Sequence, residues 1–227
     1  MVRGSAAVLS LVVGAALLVA ADALPSAGTM PSACAGGVAI GLCALAPLPG
    51  RGELLGIAVF GLGAALLAIA LNAADLGAEA TPAEALFAAA AGLLFAVGFA
   101  LPAAVVTLPL VVAGIDAASL LGGGAADLAR AGSGSDVLTL DVPRWGGGDV
   151  VTRVNILDAT FLALFAAWSL RYALRPRIAL PLMVIALTGA LALSVALERV
   201  VPAIPFLAFG FLLPAVDRLV PLLRSEA

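Results

Sequence analysis

The sequence predicts an all-α, polytopic transmembrane helix bundle of about eight spans, seven to nine. A bilayer core of about 30 Å takes roughly 20 apolar residues of helix, and the chain is built largely of such runs. Composition points the same way. Of 227 residues, 63% are hydrophobic and 11% charged, with a mean hydropathy of +1.20. An average soluble domain carries roughly 25% charged residues, so a water-soluble globule of this length could not cover its core. One stretch breaks the pattern: between Gly122 and Asn155 the apolar runs give way to charges and glycine triplets.

The first span is 5–24, with Arg3 before it and small residues after it. Secretory signals share that pattern, but every later span also belongs in the membrane, so it is read as a retained helix. A turn at Pro25, Gly28 and Pro31 leads to 33–48, and Pro49-Gly50-Arg51 leads to 53–74. A polar link through Asp75, Glu79, Thr81 and Pro82 precedes one apolar run, 84–121, about twice the length of a span. Pro102 divides it into 84–101 and 103–121, with a very tight turn between them. Residues 122–155 carry Asp127, Arg130, Asp136, Asp141, Arg144, Asp149 and Arg153, with glycine triplets at 122–124 and 146–148. They are expected to form a solvent-exposed loop. Spans 157–170, 178–197 and 202–220 follow. The chain thus divides into amino-terminal helices, 1–102, and carboxy-terminal helices, 103–227, the latter interrupted by the loop.

All eleven basic residues are arginine, with no lysine or histidine. No Ser-His or Ser-Lys dyad, pyridoxal Schiff base, Walker lysine or histidine metal site is available. Cys34 and Cys43 share one apolar stretch and suit neither a zinc ligand set nor a disulfide framework. No cofactor is expected. A net charge of −3 makes no basic footprint for nucleic acid. Arginine without lysine, with abundant alanine and glycine, suggests a high-GC prokaryotic source. With eight spans, Arg3, Arg51, Arg171, Arg175, Arg177, Arg218 and Arg224 lie on one side and Arg130, Arg144, Arg153 and Arg199 on the other. The positive-inside rule then puts both termini in the cytoplasm and loop 122–155 outside a cell membrane.

Intramembrane carboxylates cost about 2.5–3.5 kcal/mol at a helix centre on insertion scales, so each needs a reason. Asp22 is expected at the interface. Asp75, Glu79 and Glu84 read as solvated, and Glu198-Arg199 and Asp217-Arg218 as interfacial anchors. Asp116 is different. It sits near the end of its span, where the helix dipole disfavours a carboxylate, among the small residues Ala113, Gly114 and Ala117. Either it pairs with an arginine such as Arg130 or Arg171, or it belongs to a site. Asp158 opens the next span. With Asn155 as N-cap it would be N3, where a carboxylate satisfies free amides. The two aspartates flank the same loop and so belong near the same membrane face. Two crossings later, Pro202-Ala203-Ile204-Pro205 opens the last span from that face. Its prolines serve either as ordinary helix starts or as a short extended entry.

Two aspartates on consecutive membrane helices, followed after a hairpin by this entry, resemble the presenilin and signal-peptide-peptidase family of intramembrane aspartyl proteases. The first motif, often Tyr-Asp-Ala-Ile-Ser, corresponds to Ile115-Asp116-Ala117-Ala118-Ser119. The second, Gly-x-Gly-Asp before a phenylalanine-rich helix, corresponds to Asn155-Ile156-Leu157-Asp158-Ala159-Thr160-Phe161. Pro-Ala-Leu corresponds to Pro202-Ala203-Ile204. The tyrosine and both glycines are replaced. A literal Gly-x-Gly-Asp, Gly146 to Asp149, is followed by Val150-Val151-Thr152-Arg153 rather than by a membrane helix, and reads as a loop. The likeness covers 105–214; the amino-terminal half matches only as a set of spans.

The resemblance implies a presenilin-like carboxy-terminal half, with Asp116 and Asp158 as a catalytic pair sharing a proton. One would activate water while the other protonates the scissile carbonyl. Pro202, Ala203, Ile204 and Pro205 would hold a substrate segment extended, and the substrates would be transmembrane helices of other proteins. Two alternatives stay open. One is a non-catalytic relative that binds membrane helices through Ala/Gly-rich surfaces. The other is a proton-coupled transporter, for which midplane acids are expected.

Overall fold

The computed structural model describes residues 2–121, 138–147 and 149–224. Its helices are α1 (Val2–Val19), α2 (Thr29–Leu45), α3 (Leu54–Ala73), α4 (Gly77–Gly98) and α5 (Pro102–Leu121). A two-stranded antiparallel hairpin follows, β1 (Thr139–Pro143) with β2 (Val150–Asn155). Then come α6 (Ile156–Arg171), α7 (Pro176–Ala196) and α8 (Ile204–Leu212); the last passes through a 3-10 turn into α9 (Val216–Arg224). Six stretches are long and apolar enough to cross a membrane: Thr29–Gly50, Leu54–Ala73, Gly77–Gly98, Pro102–Ser119, Pro176–Ala196 and Ile204–Arg224. Ser5–Val19 is a shorter apolar helix. Apart from the hairpin, the regular structure of the described residues is helical.

Prolines and left-handed residues set several boundaries. Pro102 and Pro176 start α5 and α7, where a missing N–H costs nothing. Asp75, Ala173 and Glu198 take positive φ just beyond α3, α6 and α7, which turns the chain out of each helix. The Tyr172 hydroxyl donates to the Ala100 carbonyl, tying the end of α6 to the tight α4–α5 turn.

Helix α6 is the centre of the bundle. It packs on α2, α4, α7 and α8 and buries nearly its whole surface, including Phe165 and Trp168. Phe165 stacks on Phe211 of α8 with ring centroids 5.2 Å apart. Helices α3 and α5 are peripheral, and Leu55, Leu62, Leu110 and Ile115 are exposed on them as lipid-facing side chains would be.

Two regions depart from the sequence expectation. Helix α4 begins at Gly77, so Thr81, Pro82 and Glu84, read as a solvated link, are buried helical residues. Pro82 is the sixth residue of α4 and leaves the Ala78 carbonyl without its usual helical N–H partner. Glu84 is 1% exposed and accepts a hydrogen bond from Asn72 Nδ2 of α3 at 2.7 Å. Its charge-bearing head therefore has a polar partner within the bundle, which a local pattern cannot reveal. Glu84→Ala removes an acceptor from a buried amide and is expected to cost about 1–3 kcal/mol, read as a lower thermal midpoint in detergent.

The second departure is in 122–155, expected to be an exposed loop. The first glycine triplet, Asp127, Arg130 and Asp136 lie outside the described residues. The stretch from Thr139 to Asn155 holds the hairpin, and Leu140, Val142 and Val154 are buried. Alternating Leu140-Asp141-Val142 and the β-branched run Val150-Val151-Thr152 favour strands. The charges are accommodated by pairing across the strands: Arg153 Nε meets Asp141 Oδ1 at 2.9 Å.

The hairpin is wedged among the helices. Its tip docks on the α1–α2 connection: Ala27 N–H donates to Trp145 O at 3.1 Å, and Trp145 N–H to Ser32 Oγ at 3.2 Å. Farther down, Val142 packs against Gly36 of α2, and Thr81 Oγ1 of α4 donates to Asp141 O at 2.9 Å. Gly146, at φ +70°, faces the Ser26 backbone, leaving no room for a Cβ. Gly146→Ala combines a left-handed alanine with that clash. It is expected to loosen the tip, seen as faster amide exchange at Trp145 and Gly146.

Candidate functional site

Asp116 lies in the last third of α5 and is half-buried. Its Oδ2 accepts the Ile204 backbone N–H at 3.2 Å. That amide is the first of α8 and has no carbonyl partner within its own helix, so a carboxylate is a suitable acceptor for it. Residues 200–203 are non-helical, as a short entry requires, and Val201 N–H donates to Ser194 Oγ of α7 at 3.0 Å. Pro205 falls within the first turn of α8, where proline is tolerated. Of the entry Pro202, Ala203, Ile204 and Pro205, it is Ile204 that meets Asp116. Ser194 is a participant that sequence reading missed; only its place two residues before the end of α7 hinted at it.

Asp158 is buried, 9% exposed, in the first turn of α6. Asn155 is the N-cap, accepting the Leu157 N–H at 2.9 Å. The Asp158 carboxylate takes the Asn155 N–H in return, which makes a capping box. Local capping therefore accounts for one of its hydrogen bonds. It does not account for the other influence on it, the negative charge of Asp116, which acts on Asp158 electrostatically. The two aspartates are within electrostatic reach of one another although they come from helices with little mutual contact. Helix α5 packs chiefly on α8, with little contact to α6. Helix α5 reaches the core through Val105, with Leu108 and Val112 packed against it.

The pairing of Asp116 with Arg171 does not occur; Arg171 lies against the Tyr172 ring at 5.6 Å. Arg130 is outside the described residues. Among the described residues, arginine–carboxylate pairs are Arg144–Asp149, Arg153–Asp141 and Arg175–Asp217, and neither Asp116 nor Asp158 is in one.

Asp158 lies deep within the bundle. Its helix begins inside the bundle, because the hairpin carries the chain inward first. Thr160, half a turn further on, lies with its carbonyl against Gly92, past the midpoint of α4. Helix α4 has 22 residues, about 33 Å at 1.5 Å per residue. Asp158 therefore lies alongside the body of α4 rather than at its start, and α6 has only 16 residues. Gly148 of the literal Gly-x-Gly-Asp lies outside the described residues; Gly146, Gly147 and Asp149 are at the hairpin tip, where the Asp149 side chain is 78% exposed.

Among the described residues no group of three or more His, Cys, Asp or Glu side chains is placed to hold a metal ion. What the arrangement offers is two carboxylates, one anchored on a helix-entry amide and one on the cap of α6. Comparison with protein-family models, with curated proteins and with solved structures returns no match.

Proposed function

We propose that this chain is an intramembrane aspartyl protease, similar to the presenilin and signal-peptide-peptidase family. In this reading Asp116 and Asp158 are the general acid/base pair and transmembrane segments are the substrates. The observation that carries the reading is the convergence of three distant segments. Asp116 accepts from Ile204 in the Pro202–Pro205 entry, and its charge acts on Asp158. In the proposed reaction, the ionised carboxyl takes a proton from water as the water oxygen attacks the scissile carbonyl carbon. The protonated carboxyl gives its proton to the carbonyl oxygen. The C–N bond of the resulting diol then breaks, with a proton passing to the departing amine. In this reading water and an extended segment reach the pair from the α5 side, where α5 has little contact with α6.

The proposal includes eight crossings. Helices α1 and α6 join the six long stretches, and the hairpin makes up the missing length of α6. Arg51, Arg171, Arg175, Arg177, Arg218 and Arg224 fall at the end of the bundle away from the hairpin. The positive-inside rule makes that end cytoplasmic.

The burial of Asp158 alongside the body of α4 supports a second reading, proton-coupled transport, since buried intramembrane acids also serve as proton relays. One experiment addresses both. Wild type, Asp116→Ala and Asp158→Ala are reconstituted with a panel of reporter membrane helices and a pH-sensitive dye in the vesicle lumen. Cleavage lost in both variants is expected. Dye response without cleavage, lost in both variants, would instead select transport.

A further inference from the structure

At the end of the bundle opposite the hairpin, a cavity of about 350 Å³ opens between three elements. Its lining is Arg51 from the α2–α3 connection, Leu93, Ala96 and Val97 from α4, and Ala167, Leu170 and Arg171 from α6. The two arginines are far apart in sequence, yet both border this one space. Neither has a carboxylate partner among the described residues, whereas Arg144, Arg153 and Arg175 each have one. Both are held in place by other means. Arg51 Nη1 donates to the Leu48 carbonyl at 3.2 Å, and the Arg171 guanidinium lies 5.6 Å from the Tyr172 ring centroid. Interfacial anchoring accounts for an arginine at a helix end, and Arg171 also suits the C-terminus of α6. Neither effect accounts for two guanidiniums bordering one cavity.

We propose that this cavity binds the phosphate of an anionic phospholipid. A guanidinium presents a planar fork of donors that matches phosphate oxygens, and two of them supply the charge for a phosphodiester. Basic pockets between membrane helices suit such headgroups. A free phosphate ion has the same charge chemistry. The rest of the wall favours lipid: beside the buried Leu93, Ala96 and Ala167, exposed Val97 and half-buried Leu170 offer an apolar surface along which the glycerol and the first acyl methylenes can lie. The site is independent of the aspartate pair, which lies toward the other end of α6.

The test titrates purified, detergent-solubilised full-length protein with phosphatidylglycerol, with phosphatidylcholine or with inorganic phosphate. Binding is read by native mass spectrometry and by thermal midpoint. Phosphatidylglycerol is expected to bind at least tenfold more tightly than phosphatidylcholine. Arg51→Gln and Arg171→Gln are each expected to weaken it several-fold, and the double variant by tenfold or more. The Arg175→Gln/Arg177→Gln pair, from the same membrane face, controls for general surface charge and is expected to bind as wild type does. Arg51→Lys/Arg171→Lys keeps the charge and gives a folded reference should the glutamine variants unfold; it is expected to bind more weakly than wild type but still to prefer phosphatidylglycerol. Equal binding of the two lipids, or undiminished binding by the folded double variant, would overturn the proposal. Inorganic phosphate binding as tightly as phosphatidylglycerol would overturn the lipid assignment and give the site to the free ion.

Discussion

Asp158→Asn is expected to lower cleavage of a reporter helix at least about 10²-fold while leaving the fold almost untouched. The reason is that Asp158 has two separable roles. As the N3 residue of α6 it accepts the Asn155 N–H, and an asparagine side-chain oxygen can accept that hydrogen bond equally well. As a proposed acid or base it must gain and lose a proton, which asparagine cannot do; such groups typically contribute 10²–10⁴-fold. Asp158→Ala removes both roles, so it should lose cleavage to the same extent and about 1 kcal/mol of stability besides. The same logic applies to Asp116→Asn, whose amide oxygen can keep the Ile204 N–H. The measurement is reporter cleavage alongside thermal midpoint for all three variants. If Asp158→Asn cleaves as wild type does, capping is its whole role and the protease reading fails.

How much of this was legible in advance depends on the range of the interactions. A bilayer-length apolar run is a one-dimensional signal, and α3, predicted at 53–74, spans Leu54–Ala73. Pro102 marked the division between α4 and α5 because its ring cannot continue a preceding helix undisturbed. The start of α4 was misplaced because Glu84 looks solvated until Asn72 of the neighbouring helix is set beside it. The hairpin was hidden for a related reason. Asp141 and Arg153 read as loop charges singly, and only their pairing across the strands makes burial tolerable. The candidate site was partly readable. The sequence named Asp116, Asp158 and the Pro202–Pro205 entry, since acids in apolar runs are rare and costly. It could not show that Ile204 donates to Asp116, nor that the hairpin carries Asp158 inward, because both follow from the packing of segments far apart in the chain.

The inward position of Asp158 rests on close approach of α4 and α6, and Gly92 is where that approach is tightest. A Cβ there would meet the Thr160 carbonyl oxygen, and would lie 3.0 Å from Ala163 Cβ and from Leu164 N. These are backbone and Cβ atoms, which cannot rotate away, so the two helices must separate. Small residues at membrane helix contacts exist to permit such approach, and overpacking one typically costs about 1–3 kcal/mol. Gly92→Ala is therefore expected to lower the thermal midpoint. Its effect on cleavage should be larger than that destabilisation suggests. Thr160 is half a turn from Asp158, and a shift of about 1 Å at a catalytic group can cost about 10²-fold. Gly63→Ala is the matched control. It lies on peripheral α3, and an added methyl group would have nothing within 4 Å. The substitution gains helix propensity without a clash and should match or exceed wild-type stability with unchanged cleavage. Should Gly92→Ala behave like Gly63→Ala in both assays, the α4–α6 contact does not position Asp158. A stability loss with undiminished cleavage would show that the contact supports the fold alone.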